Sequence, residues 1–394
     1  MRRAVIVIGC SYGDEGKGMA ADFAASREKK PCLNVLINGG AQRGHTVDLP
    51  DGRRHVFHHF GSASLRGAAS CADRDFIVNP LLYAQEREEL ERDFGMIPRL
   101  LISDRCRVST PWDMMLGQII EENRGKSRHG SCGCGIQETR LRFLNTGWAL
   151  RWGRLCETGE AEYAAYCRRI IREYVPRRLS ALGMTAGPEW RDLLENEGLI
   201  RSSRADLLKM ISLTERYEDW NKLAEDWPFL LFEAGQGLAL DAGNKADYPY
   251  LTPSRTTSLI GAGRIAALPG KTETEIIYVT RSYLTRHGAG PFPTECPKES
   301  INPDMTDRTN VPNPHQETLR YGFFDPEAVL ARVNADLAET RALLPDAAVS
   351  VLITHLNETD GKLACGLSPE VFAGHFDRAY FSDSPFGVRT AAGR

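Results

Sequence analysis

The chain has 394 residues, 42% of them hydrophobic, enough to bury one large core or two moderate ones. A formal net charge of −3 and a pI near 6.3 exclude a basic face for nucleic acid or an acidic membrane. No apolar run approaches the ~20 residues of a membrane helix. Ten cysteines without a CxxC pair fit a reducing cytosol, so the chain reads as a soluble cytoplasmic protein.

"MRRAVIVIGC" has the arginines and apolar stretch of a secretion signal. A glycine loop follows it instead of a small-residue cleavage site, so a buried first strand is expected. "AVIVIG", "LNVLING" and "DFIVNP" are short apolar runs bounded by Gly, Asn or Pro and are predicted as strands. "LLYAQEREELERDFG" reads as a charged helix ending at glycine. This alternation predicts an α/β fold with a mainly parallel central sheet flanked by helices.

Residues from about 150 to 225 read as mostly helical. "AEYAAYCRRIIREYVP" places Tyr163, Tyr166, Cys167, Ile170, Ile171 and Tyr174 on one packing face, and the helix is expected to stop at Pro176. Strand signals return in "FLLFEAGQG", "TEIIYVTRSYL" and "AAVSVLITHL". A helix capped by Asp325 with Pro326 at its first position should bury Val329, Leu330, Val333 and Leu337. With no repeat or linker, residues 1–394 read as one catalytic domain whose glycine-rich loops converge on one cleft.

"VIVIGCSYGDEGKGMAADF" (5–23) has the layout of a phosphate-binding loop: strand, glycine turn, Gly16-Lys17, then helix. It departs from the strict pattern twice. Ser11 stands at the first glycine, and Gly18 follows the lysine where a hydroxyl residue is usual. Asp14 and Glu15 inside the loop would repel a triphosphate unless one binds its metal or takes a proton in a reaction. "NGGAQRGHT" (38–46) is a second glycine loop after a strand, with His45 at its tip. "HGSCGCG" (129–135) reads as a metal site or, in preference, a flexible loop with two small thiols.

"GDEGKG" (13–18), "GGAQRGHT" (39–46), "FEAGQG" (232–237), "YPYLTPS" (248–254) and "TRHGAGPFPTE" (285–295) resemble, in order and spacing, the signature segments of adenylosuccinate synthetases, up to about residue 361. The resemblance implies a fold related to the phosphate-loop nucleotidases, a homodimer, and a ligase joining L-aspartate to C6 of IMP with GTP and Mg²⁺. It implies that Asp14 takes the purine N1 proton and binds Mg²⁺ with the Gly44 carbonyl. His45 steadies charge on the leaving group, and Lys17 supplies positive charge to the phosphates. Gly13, Glu15, Gly16, Gly18, Met19, Gln42, Arg43, Gln236 and Thr252 map to nucleotide and phosphate contacts. Ser131 and Cys132 map to the monophosphate loop, and Ser382 and Gly387 to a weaker echo in "FSDSPFG".

Departures from that family give the resemblance its direction. Asn357 replaces the carboxylate that reads guanine, and an amide, which both donates and accepts, suits the adenine edge of ATP or dATP. In "TNVPNPHQETLRYGFFD" (309–325) Glu317 aligns with the arginine that meets the ribose 2′-OH. Thr309, Asn310, Gln316 and Arg320 remain as the polar groups for aspartate binding. His287 replaces a small side chain against the ribose. These features resemble the phage and archaeal branch that makes N6-succino-2-amino-2′-deoxyadenylate from dGMP, although phage enzymes of this kind carry serine where Asp14 stands here. Adenylosuccinate synthesis from IMP and GTP is the second reading, and a nucleotide-dependent regulatory switch is the third.

Overall fold

The computed structural model describes residues 1–144, 146–305 and 318–390. Ten strands form one sheet: β1 (Arg2–Gly9), β2 (Cys32–Leu36), β3 (Ala69–Ala72), β4 (Leu100–Ser103), β5 (Glu215–Tyr217), β6 (Phe229–Gly237), β7 (Thr272–Arg281), β8 (Ala348–Thr354), β9 (Arg378–Ser384) and β10 (Gly387–Thr390). Their spatial order is β10-β9-β8-β7-β1-β6-β2-β3-β4-β5. Every pairing is parallel except that of β9 with β10.

Strand β1 lies at the centre because both of its faces are apolar, as a parallel sheet covered on two sides requires. Val5 pairs with Leu231 of β6 and with Glu275 of β7, and Ala4 through Ile8 are buried. The carboxyl ends of β1, β2, β6, β7 and β8 therefore lie side by side. In sheets of this kind ligands bind at that edge.

Helices α1 (Lys17–Ser26), α2 (Pro80–Phe94), α3 (Pro111–Arg124) and α4 (Ile136–Leu144) follow in the first third of the chain. "DFIVNP" supplies only Ile77–Val78, paired with Arg107–Val108 outside the large sheet. Its strand is cut short because Asn79 caps α2, accepting from the Leu82 N–H at 3.2 Å, and Pro80 is the first helical residue. The sheet takes β3 and β4 in its place.

The middle region is helical, with β5 added at the sheet edge. The face from Tyr163 to Tyr174 is buried as its periodicity predicts. The helix does not stop at Pro176, however. Glu160–Arg169 runs into a π-turn at Ile170–Tyr174 and continues as Val175–Ala181. The Val175 N–H reaches back to the Ile170 carbonyl, and this wider turn makes room for the proline ring. Asp325 caps Pro326–Thr340 as predicted, through the Ala328 N–H at 3.0 Å. Leu330 is only half-buried in that helix, whereas Asp336 is buried, accepting from Ser258 Oγ and Tyr278 Oη at 2.6 Å each. No described helix is long and apolar enough to cross a membrane.

Candidate active site

The loop between β1 and α1 is a charged knot closed on itself. Gly13, Asp14 and Gly16 have φ of 96°, 55° and 93°, a left-handed path that suits glycine and strains an aspartate. Glu15 turns inward instead of towards a ligand. Its carboxylate accepts from the Ser11 N–H at 2.7 Å and the Gly13 N–H at 3.2 Å, and pairs with Lys17 Nζ at 2.7 Å. Ser11 has a partner that explains why no glycine is needed there: Arg332 donates to its hydroxyl and to the Cys10 carbonyl, both at 3.0 Å. Gly18 is likewise fixed by packing. A Cβ there would lie 2.4 Å from the Thr46 carbonyl oxygen, so α1 abuts the second loop where a hydroxyl residue would not fit.

Asp14 is thereby turned outward. Its carbonyl accepts from Arg281 Nε, and its carboxylate Oδ2 lies 3.1 Å from His287 Nε2. Burial favours the neutral acid, but the His287 hydrogen bond and charge, with Arg281 and Lys17, outweigh it and bring its pKa down to about 2. Asp14 is an ionised carboxylate at neutral pH.

His45 begins a hairpin of His45–Asp48 with Arg54–Phe57. Behind it Glu233, fully buried in β6, is 2.5 Å from His45 Nδ1 and 2.7 Å from Arg43 Nη2, and accepts from the Ser62 N–H at 3.0 Å. Burial raises the Glu233 pKa, yet Arg43, His45 and Ser62 hold it well below the usual carboxylate range. Burial and the Arg43 charge lower the His45 pKa to about 4 against the pull of Glu233. The ring is therefore neutral at pH 7, with Nδ1–H donating to Glu233.

One cavity of about 1390 Å³ joins these groups. Asp14, Lys17 and His45 all line it, with Gly13, Glu15, Gly16, Gly18, Met19, Gln42, Arg43, Gly44, Ser131, Cys132, Gln236, Thr252, His287 and Asn357. Pockets for a single small ligand are usually ~300–1,000 Å³, so there is room for more than one substrate. Both polar atoms of the Gln42 amide are buried without a hydrogen-bond partner among the described residues, which marks that wall as built for a polar ligand. Arg43 lines the cavity, but its Nη2 is committed to Glu233.

Three assignments do not reach the wall. Arg320 pairs with Glu295 at 2.5 Å and donates to the Gly288 and Gly290 carbonyls at 3.0 and 2.9 Å, so it shapes the 286–291 turn from behind. Ser382 is buried and donates to the Ser384 carbonyl at 2.7 Å. Gly387 begins β10, beyond the turn in which Ser384 and Pro385 are the lining residues. Thr309, Asn310 and Gln316 lie outside the described residues. Of the two arginines after the cysteine loop, Arg140 lines the cavity. Arg142 is buried and bound to Asp113 at 2.7 and 2.8 Å.

Glu233 and Arg281 are the groups that motif reading passed over. Glu233 lies within the signature segment "FEAGQG", as a lone acid at the end of an apolar run, but the sequence alone assigns it no role there. For a metal, Asp14 carboxylate and Gly44 carbonyl offer hard oxygen donors on one cavity. No cluster of three or more metal-binding side chains occurs among the described residues. That set fits Mg²⁺, which commonly draws most of its ligands from phosphate and water.

A buried lysine at a glycine turn, a histidine loop beside it, and a shared cavity at the carboxyl edge of a parallel sheet define an α/β phosphate-binding protein. The family model for adenylosuccinate synthetase matches residues 6–343, and the chain belongs to that family. Adenylosuccinate synthetases of Edwardsiella ictaluri and Vibrio parahaemolyticus are each 31% identical over 75% of this chain. The chain spans just under two thirds of their length, 65% and 64%. Among solved structures, the fully ligated adenylosuccinate synthetase of Plasmodium falciparum has a TM-score of 0.66 at 19% identity, covering 90% of this chain and 77% of its own. The succinoaminodeoxyadenylate synthetase of cyanophage S-2L, bound to dGMP and dATP, has the same TM-score at 14% identity, covering 99% and 95%.

Proposed function

We propose that the protein is a carbon–nitrogen ligase joining L-aspartate to C6 of dGMP with ATP or dATP as phosphoryl donor. The observation that carries this reading is one cavity presenting an ionised Asp14 together with Lys17 and a carboxylate-backed His45. Asp14 accepts the N1 proton as the 6-oxygen takes the γ-phosphoryl group. The aspartate amine then adds at C6 and phosphate leaves. Lys17, positioned by Glu15, faces the phosphates. The charge of the bound triphosphate raises the His45 pKa, so the ring takes a proton from solvent and donates it from Nε2 to the leaving diphosphate, with Glu233 stabilising the imidazolium in between. Mg²⁺ would be held by Asp14 and Gly44 and would offset phosphate charge.

Support for dGMP and an adenine donor comes from two side chains. Asn357, an exposed amide, lines the wall where a guanine-reading acid would stand. The bulk of His287 lies against Asp14 at the ribose position. The cyanophage relative, solved with dGMP and dATP, shares the fold. IMP with GTP is the second reading, favoured by retention of Asp14. The unit is expected to act as a homodimer in the cytoplasm.

The test is turnover of the purified chain with L-aspartate and Mg²⁺, given dGMP and ATP or IMP and GTP. Turnover with the first pair is expected, and turnover with the second alone would overturn the assignment. Phosphate release that does not require aspartate would point to a regulatory switch.

A further inference from the structure

The loop from His129 to Gly135, which the resemblance assigns to the monophosphate, carries a Cys-Gly-Cys at 132–134 whose thiol chemistry the proposed reaction does not use. Both thiols line the substrate cavity and both are half-buried. The Cys134 thiol donates to the Cys132 carbonyl oxygen at 3.9 Å, which folds its side chain back towards Cys132. Gly130, Gly133 and Gly135 all have positive φ, so the backbone already makes the tight curl that a ring closed across one residue demands.

The loop is tied down at its first end. Glu121 accepts from the His129 and Gly130 N–H groups at 2.9 Å each, and the Ala289 N–H donates to the His129 carbonyl at 3.1 Å. On the far side α4 begins at Ile136. Between them Gln118 Nε2 donates to the Gly133 carbonyl at 3.3 Å and the Gly133 N–H to Ser131 Oγ at 3.2 Å, so a bond made across Gly133 pulls on these two contacts and reshapes the cavity wall while the ends hold.

We propose that Cys132 and Cys134 form a thiol–disulfide site inside the substrate cavity, with Cys132 as the attacking thiol, Cys134 as the resolving thiol, and a small disulfide such as oxidised glutathione as the reactant. The Cys132 thiolate attacks one sulfur of the small disulfide and expels the other half as a thiolate. Cys134 then attacks the Cys132 sulfur, gives up its proton, and releases the second half as a thiol. The protein pair is oxidised by two electrons, and one small disulfide is reduced to two thiols.

The order of attack follows from the geometry: the Cys134 Sγ–H is engaged with the Cys132 carbonyl at 3.9 Å and keeps its proton, leaving Cys132 as the thiol that ionises first. Donation from the Cys134 thiol, acting against burial, brings the Cys132 pKa down to about 7, while the same contact and burial push Cys134 up. The remaining cysteines do not line the cavity, and Cys156 and Cys296, although half-buried too, have pKa values raised by burial. Cys10, Cys32, Cys71, Cys106 and Cys167 are buried, and Cys10, Cys32, Cys71 and Cys106 have pKa values pushed well up by burial. Cys365 is exposed and gives an internal control.

Resting on the proposed ligase reading, the disulfide controls nucleoside monophosphate binding, because it pulls in the wall assigned to that phosphate beside Ser131. The experiment treats the full chain with oxidised glutathione, then maps tryptic peptides without reduction. Residues 129–140 form one peptide, which should become two hydrogens lighter and be restored by dithiothreitol. In Cys134→Ser, glutathione should remain on Cys132. In Cys132→Ser, no adduct should form at 134. An unchanged 129–140 peptide while Cys365 is glutathionylated would overturn the site.

Calorimetry of dGMP and IMP, reduced against oxidised, tests the control. At least a tenfold weakening is expected, with prior saturation by nucleotide protecting the thiols. Equal affinity in the two states would overturn the control. If the disulfide forms but the reduced protein binds neither nucleotide, the ligase reading fails and the thiol site stands.

Discussion

Glu15 and Glu233 each bury a carboxylate behind the cavity and each hold a cation against it, yet they are assembled in opposite ways. Glu15 draws its partners from its own loop: Ser11, Gly13 and Lys17 are within four residues. Glu233 draws Arg43, His45 and Ser62 from 190, 188 and 171 residues away. The lysine side can therefore set its geometry as soon as the first strand and helix meet. The histidine side exists only once β6 has been inserted between β1 and β2. The placing of the lysine's positive charge is a local property here, and the histidine's backing is a property of the whole sheet.

Four measurements break or sharpen that contrast. Asp14→Asn removes the group the first loop turns outward, and kcat should fall by roughly 10²- to 10⁴-fold with little change in thermal unfolding. A rate within tenfold of the parent would mean the proton goes elsewhere. Glu233→Gln leaves the Arg43 guanidinium buried without a counter-charge and should cost about 3–5 kcal/mol of unfolding free energy. Glu15→Gln, whose amide oxygen can still accept from Ser11 and whose lysine borders the cavity, should cost about 1–3 kcal/mol. Equal losses in urea unfolding would erase the distinction between local and long-range assembly.

Asn357→Asp touches neither acid. It should move the ratio of kcat/KM for ATP over GTP towards GTP by about 1–3 kcal/mol, leaving stability alone. The smallest effect is in acid. His45 ionises near 6.5 when unfolded and near 4 in the fold, so between those values the unfolded chain binds more protons. Stability should fall as pH drops through that window, and His45→Asn should flatten the slope. An unchanged slope would detach His45 from it.

What the sequence discloses follows the same local and long-range division. The strands β1, β2, β6, β7 and β8 are apolar runs bounded by turn residues and announce themselves, as do the Asp325 cap and the first glycine loop. β3 and β4 do not, because "ASCA" and "LLIS" are four residues each and become strands only in the sheet, β3 beside β2 and β4 beside β3. Asp14, Lys17 and His45 stand in motifs dense enough to read. Glu233 stands in one too, "FEAGQG", but its role does not read out, since it depends on partners that no local pattern names. Arg320 fits the spacing for a ligand contact, but Glu295 lies within its reach in the fold and takes the guanidinium. Pro176 misleads for a related reason: a proline stops a regular helix, and nothing nearby advertises that the turn before it is wider.

That wider turn at Ile170–Tyr174 has the character of a single extra residue accommodated without breaking the rod. Five residues in the wide turn advance the helix by about as much as four in a regular one, so the extra residue is absorbed and the winding beyond it keeps its face. Arg178 therefore meets Glu138, at 2.9 and 3.2 Å, and both side chains border the cavity. Taking that residue out should leave the mouth of the cavity as it is, whereas a one-residue deletion in the regular winding just before or after it would turn Arg178 away by about 100°.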